Sequence, residues 1–199
     1  MFARSRHGVL AALAFAALWA PATAQADGGP AARARARAAS ERCVNADAMP
    51  GQGAVEDLRA ATLCLMNAER TARGLGRLQS EPLLGRVAAS YARQMVRGQF
   101  FDHTSPAGST MLARIKATSY LRDVTSWSVG ENLAWGTGTL ATPRAMVRAC
   151  MQSAEHRANL LDRHFADVGI GVAAGAPVAL EPGELGGTYV TDFGRRLKG

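Results

Sequence analysis

The chain has 199 residues, 48% hydrophobic and 20% charged, with 23 Lys and Arg against 16 Asp and Glu for a net charge of +7. That length buries a core as one domain with short extras, and excludes a miniature fold that depends on metal or disulfides. Arg4, Arg6, Arg33, Arg35, Arg37 and Arg42 all precede residue 43, so the remainder is close to charge balance. The basic excess therefore makes no case for specific nucleic-acid binding, which needs charge concentrated on the folded surface.

The N-terminus carries Arg4 and Arg6, an apolar run over 8 to 20, and then Pro21-Ala22-Thr23-Ala24-Gln25-Ala26. A basic start, a short apolar stretch and small residues at the cleavage site predict a Sec-type signal peptide over 1–26, removed after Ala24 or Ala26. The run is shorter than the roughly 20 residues that cross a bilayer, so no transmembrane span is expected once it is cleaved. Residues 27–54 form an Ala/Arg-rich basic arm and loop. This reads as a solvated linker, with contact to anionic wall polymer or phospholipid headgroups as the other reading. Cys43 and Cys64 flank a Pro/Gly-containing loop and are the expected disulfide, while Cys150 falls on a helix face that reads as buried.

From 55 to 73, Leu58, Ala61, Leu65, Ala68 and Ala72 recur at helical spacing, and Gly74 supplies the stop. A second helix opens at Pro82, capped by Ser80 or Glu81, turns Leu84, Val87, Ala88, Tyr91 and Met95 inward, and ends at Gly98. His103 follows on a loop. Residues 110 to 117 read as a short helix, and alternation through Trp127 and Val129 reads as a strand that places Glu131 on their face. Trp127 and Trp135 are expected in the core. Thr142-Pro143 caps and starts a helix with a stripe of Met146, Val147, Cys150 and Ala154, and His156 lies at or past its end. Val168/Ile170/Val172 and Tyr189/Thr191/Phe193 predict two antiparallel strands joined by a Gly/Pro-rich connection.

Three runs carry the candidate chemistry: Phe101-Asp102-His103-Thr104-Ser105-Pro106, Gly130-Glu131-Asn132-Leu133-Ala134-Trp135-Gly136 and Ser153-Ala154-Glu155-His156-Arg157-Ala158-Asn159-Leu160. With Leu65-Met66-Asn67-Ala68-Glu69-Arg70, Gly74-Leu75, Val168-Gly169-Ile170-Gly171-Val172 and Asp192-Phe193-Gly194, they occur in an order that resembles the CAP superfamily. That superfamily unites cysteine-rich secretory, antigen 5 and pathogenesis-related 1 proteins, and the likeness is to its short bacterial, SCP-like form. The resemblance implies an α+β fold: a three-layer α-β-α sandwich with a small, mostly antiparallel sheet between helices, here over 55–199. It also implies a shallow open cleft lined in many members by two His and two Glu.

His103, Glu131 and His156 are thus the candidate cleft cluster for catalysis or metal. Two imidazoles and a carboxylate can hold zinc or another divalent cation, or move protons. Matching Cys150 to the family's Trp puts Ser153 where the second Glu belongs, leaving the tetrad incomplete and any metal weakly held. Ser153 and Glu155 are the candidates for the open fourth corner. If the helix continues, Glu155 points about 100° away from His156, whereas Gln152 and Ser153 share its face. A Ser153-His156-Glu131 triad lacks the nucleophile elbow and oxyanion donors that such chemistry needs. The expected function is an extracytoplasmic, monomeric binding module for a lipid, peptide or cell-wall ligand; the alternative is a metal-dependent or acid-base hydrolase using the same cluster.

Overall fold

Period-two alternation in the last third of the chain builds the sheet on which everything else rests. The computed structural model describes residues 28–197; the expected signal peptide lies outside the described residues. In chain order the elements are α1 (Gly29–Ser40), α2 (Val55–Thr71), β1 (Gln79–Ser80), α3 (Pro82–Gly98), α4 (Met111–Lys116), β2 (Ser126–Thr137), a 3₁₀ turn (Gly138–Ala141), α5 (Pro143–Gln152), α6 (Ala154–Leu161), β3 (Asp167–Ala174) and β4 (Gly186–Leu197). The strand order is β1-β3-β4-β2, antiparallel except where the two-residue β1 runs parallel to β3.

Alternate residues of the sheet feed two cores. Val168, Ile170, Val172, Tyr189 and Phe193 pack on α2, α5 and α6 through Leu58, Leu65, Met146, Val147 and Leu160. From the opposite face Leu133, Ala173 and Val190 meet Ala88, Tyr91, Ala92 and Met95 of α3. This is the expected α-β-α sandwich. Its α3 layer lies so close that a Cβ on Gly169 would meet the backbone of Leu84, and one on Gly171 the backbone of Ala88. Glycine at both positions lets strand and helix backbones approach.

Helices α3, α4 and α5 start where the sequence predicts. Glu81 accepts from the Leu84 amide, Thr110 from Ala113 and Thr142 from Ala145. Asn67 exchanges two hydrogen bonds with the Leu78 backbone. Arg70, fully buried, donates to the carbonyls of Gly76, Leu160, Asp162 and Phe165, tying α2 to the chain before β3.

Three expectations need correction. The basic segment is a helix rather than a solvated linker: α1 buries Ala32 and Ala36 on α2, Arg35 caps the α2 C-terminus by donating to the Ala72 carbonyl, and the Cys43–Cys64 disulfide closes the loop behind it. Alanines one helical turn apart make a smooth face that a neighbouring helix can cover. Second, the α5 stripe does not reach Ala154. Ser153 is extended (φ −81°, ψ 128°), and its hydroxyl accepts from the His156 amide, so a new helix begins there. A serine able to bond the backbone locally competes with helix continuation. Third, Trp127 and Trp135 are exposed, at 41% and 37%, near opposite ends of the edge strand β2, with Lys116 of α4 over the Trp127 ring. Cys150 is half-buried against the larger core, and burial pushes its thiol up to about 12.

Candidate functional site

Unbroken register along β2 sends Glu131 and Leu133 to the α3 face and Asn132 to the other. Glu131 is therefore carried into the layer where α3, α4 and the loop between them meet the sheet. Tyr91 of α3 donates from its hydroxyl to the Asp102 carbonyl (2.7 Å), which holds the start of that loop. The Asp102 carboxylate accepts from the Thr104 amide (2.7 Å), closing the turn that presents His103. His103 Nδ1 then donates to Glu131 Oε1 at 2.8 Å.

The second oxygen of Glu131 is also taken. Arg114 of α4 donates to Oε2 at 2.6 Å, stacks 3.3 Å above the Tyr91 ring, and donates to the Ser109 and His103 carbonyls. Glu131 is thus buried, its side chain only 2% exposed, with both oxygens engaged, while the His103 side chain is 58% exposed. The Glu131 hydrogen bond raises the His103 pKa, and burial opposes it without prevailing. Satisfied by two cationic or ionisable side chains, Glu131 has no need of backbone amides.

His156 lies near enough to His103 to feel its charge, on a helix tied to β2 from its other face. Asn132 donates to the His156 carbonyl at 2.9 Å, and Asn159 donates to the Glu131 carbonyl and to Asn132 Oδ1, so the first turns of α6 are stitched to the strand. His156 lies in the first turn of α6, not at a helix C-terminus. Burial lowers its pKa, and the nearby His103 charge lowers it further. His164 is exposed beside Asp162 and takes no part.

Ser153, one fourth-corner candidate, is spent as the α6 cap; Glu155, the other, is exposed in the same first turn. With Glu131 already bound at both oxygens, the cluster as arranged does not make a metal centre. Among the described residues no group of three His, Cys, Asp or Glu is placed to hold one ion. A cation would first have to displace His103 or Arg114 from the carboxylate.

Two residues of the site escaped the sequence reading. Arg114 carried no signal beyond its place on a short helix. Asp192, opposite Glu131 in the β2–β4 register, is fully buried, with the Glu131 carboxylate as its hydrogen-bonding neighbour. Burial, with the Glu131 charge beside it, raises its pKa well above the usual carboxylate range. Aspartate is disfavoured in strands, so its presence amid Val190, Thr191 and Phe193 was the readable sign.

Residues 63–178 match the model of CAP, the cysteine-rich secretory protein family. The chain belongs to this family. The matched stretch holds Cys64, His103, Glu131 and His156, whereas α1 and β4 with Asp192 lie outside it. Over 107 residues this CAP protein is 34% identical to the uncharacterized protein YkwD of Bacillus subtilis, a match spanning 54% of this chain and 39% of that one. It thus covers well under half the length of that relative. The fold is similar to that of an outer surface protein from Borrelia burgdorferi (TM-score 0.58, 21% identity, 74% of this chain and 99% of that one). An extracellular protein containing a SCP domain from Bacillus anthracis is comparable (TM-score 0.54, 20% identity, 74% of this chain and 44% of that one).

Proposed function

We propose that this CAP protein is an exported binding module whose open cleft, on the α3 side of β2, takes a lipid, peptide or cell-wall ligand with His103 as its polar contact. The occupancy of Glu131 carries this reading. A carboxylate bonded at both oxygens and shut from solvent is a clamp that aims an imidazole, not a free base or an open metal ligand. The clamp leaves His103 Nε2 for a ligand. Trp127 and Trp135, exposed on the same face of the strand four residues to either side of Glu131, and Phe101, exposed two residues before His103, offer ring surface along the strand. Exposed aromatics around a fixed polar group are the usual makings of a binding surface. Export is supported by the signal-like residues 1–26, by the extracellular description of the Bacillus anthracis neighbour, and by the Cys43–Cys64 disulfide. No helix among the described residues is long and apolar enough to cross a membrane. Residues 55–199 would then be the functional domain of a monomer, with 27–54 as its extension.

The purified exported protein, incubated with membrane and wall extracts and analysed by mass spectrometry, should retain a defined ligand that His103→Ala with Trp135→Ala releases. Repeated recovery of nothing above background would count against binding.

One observation favours a hydrolase: two imidazoles in one cleft have pKa values pushed apart, His103 up and His156 down, as an acid and a base require. Peptide and ester substrates assayed with and without chelator separate the readings. Turnover lost in His103→Ala and His156→Ala and indifferent to chelator would establish acid-base hydrolysis; turnover unchanged in both variants would sink it.

A further inference from the structure

The helix ahead of the matched domain builds a groove of its own. With Ala32 and Ala36 buried on α2, Arg33 and Arg37 lie one position further round α1 and one turn apart, so they project from a common face. That face borders a groove of about 680 Å³ between α1, α2 and α5, to whose walls Arg73, Arg144, Arg148 and Arg157 are also brought. Glu41 and Glu69 also line it and Asp47 pairs with Arg144, which leaves six arginines against three carboxylates. In a domain otherwise close to charge balance, this concentration is local. None of His103, Glu131 and His156 lines the groove.

Several of these guanidinium groups are held in place. Arg144 is bonded to the Asp47 carboxylate at 2.8 and 3.0 Å, Arg73 to the Glu69 carbonyl and carboxylate, and Arg157 to the Met151 carbonyl. The Arg73 side chain is only 5% exposed, yet its Nε has no hydrogen-bond partner among the described residues. A buried donor without an acceptor is costly unless something supplies one. Arg37 lies 3.8 Å from Glu41, and Arg148 acts on the Asp47 carboxylate that Arg144 holds. Like charges gathered in a concavity raise one another's energy and focus their field on whatever anion enters. The planar guanidinium fork matches phosphate oxygens two at a time.

We propose that the α1–α2–α5 groove binds a soluble polymer of linked phosphates. Six guanidinium groups from four separate segments line the groove, more than one phosphate can pair with. A bilayer would touch only the rim, and the exposed tryptophans that seat proteins at membrane interfaces, Trp127 and Trp135, are not among its walls.

Calorimetric titration of the purified protein with long-chain polyphosphate, orthophosphate and phosphatidylglycerol vesicles tests this. Long-chain polyphosphate should bind at 50 mM salt at least tenfold more tightly than orthophosphate, and lose tenfold or more in affinity by 200 mM through counterion release. Combined Arg33→Ala, Arg37→Ala and Arg148→Ala should weaken it at least tenfold with an unchanged thermal melt. Binding unchanged in the triple variant, equal affinity for orthophosphate, binding to vesicles alone, or no binding at 50 mM salt would each overturn the proposal.

Discussion

Arg114, between Glu131 and the Tyr91 ring, and Asp192, behind the same carboxylate, make the cleft an electrostatic balance struck residue by residue. The Asp192 pKa is raised on folding, so its protonation stabilises the fold at low pH and that contribution is lost as pH rises through the folded value. Above that value, ionising a carboxyl buried beside the Glu131 charge costs on the order of 1–3 kcal/mol or more. Asp192→Asn should therefore raise Tm by a few degrees at pH 8 and by less at pH 4, read by differential scanning calorimetry across that range. A difference that does not change with pH would mean that titration of Asp192 is not the cause. His103 follows the same sign: its bond to Glu131 is strongest while the imidazole is charged and weakens as pH rises through its raised pKa. The sequence offered His103 and Glu131 through their motifs but carried no signal for Arg114, because a pairing between a helix and a strand 17 residues apart depends on packing.

Helix starts were readable from local chemistry, since Glu81, Thr110 and Thr142 act within three residues of themselves. The break at Ser153 was not, although the same chemistry makes it; a helix ending and a helix restarting both offer serine a role, and only the fold of α6 onto β2 chooses. The close approach of β3 and α3 is another property of elements rather than residues. Gly171→Ala would press a Cβ into the Ala88 backbone and should cost about 1–3 kcal/mol, whereas Gly76→Ala, with open space around it, should change little. Urea denaturation of the two variants measures the contrast; equal midpoints would show that strand and helix can part without strain.

Across the whole molecule, α1 is joined to the family domain by apolar contact at Ala32 and Ala36, by the Arg35 cap, and by a disulfide spanning 21 residues of sequence. Closing a loop of that size stabilises by about 3 kcal/mol in the chain-entropy account. Cys43→Ser with Cys64→Ser should lower thermal stability accordingly and make α1 more accessible to protease than α3, as limited proteolysis with mass mapping would reveal. Unchanged cleavage of α1 would mean its alanine face suffices.

The family, the sandwich, the antiparallel pairing, the helix caps and the cysteine partnership were all legible in the order of residues, because periodicity, capping and motif order are short-range records of which face is buried. Long-range packing settled the rest. It docked the arginine-rich segment as a helix, exposed the two tryptophans along an edge strand, spent Glu131 on Arg114 as well as His103, and set Asp192 behind it. Each depends on groups distant in the chain being brought within a few ångströms, where burial and Coulomb interactions, rather than local propensity, govern the outcome.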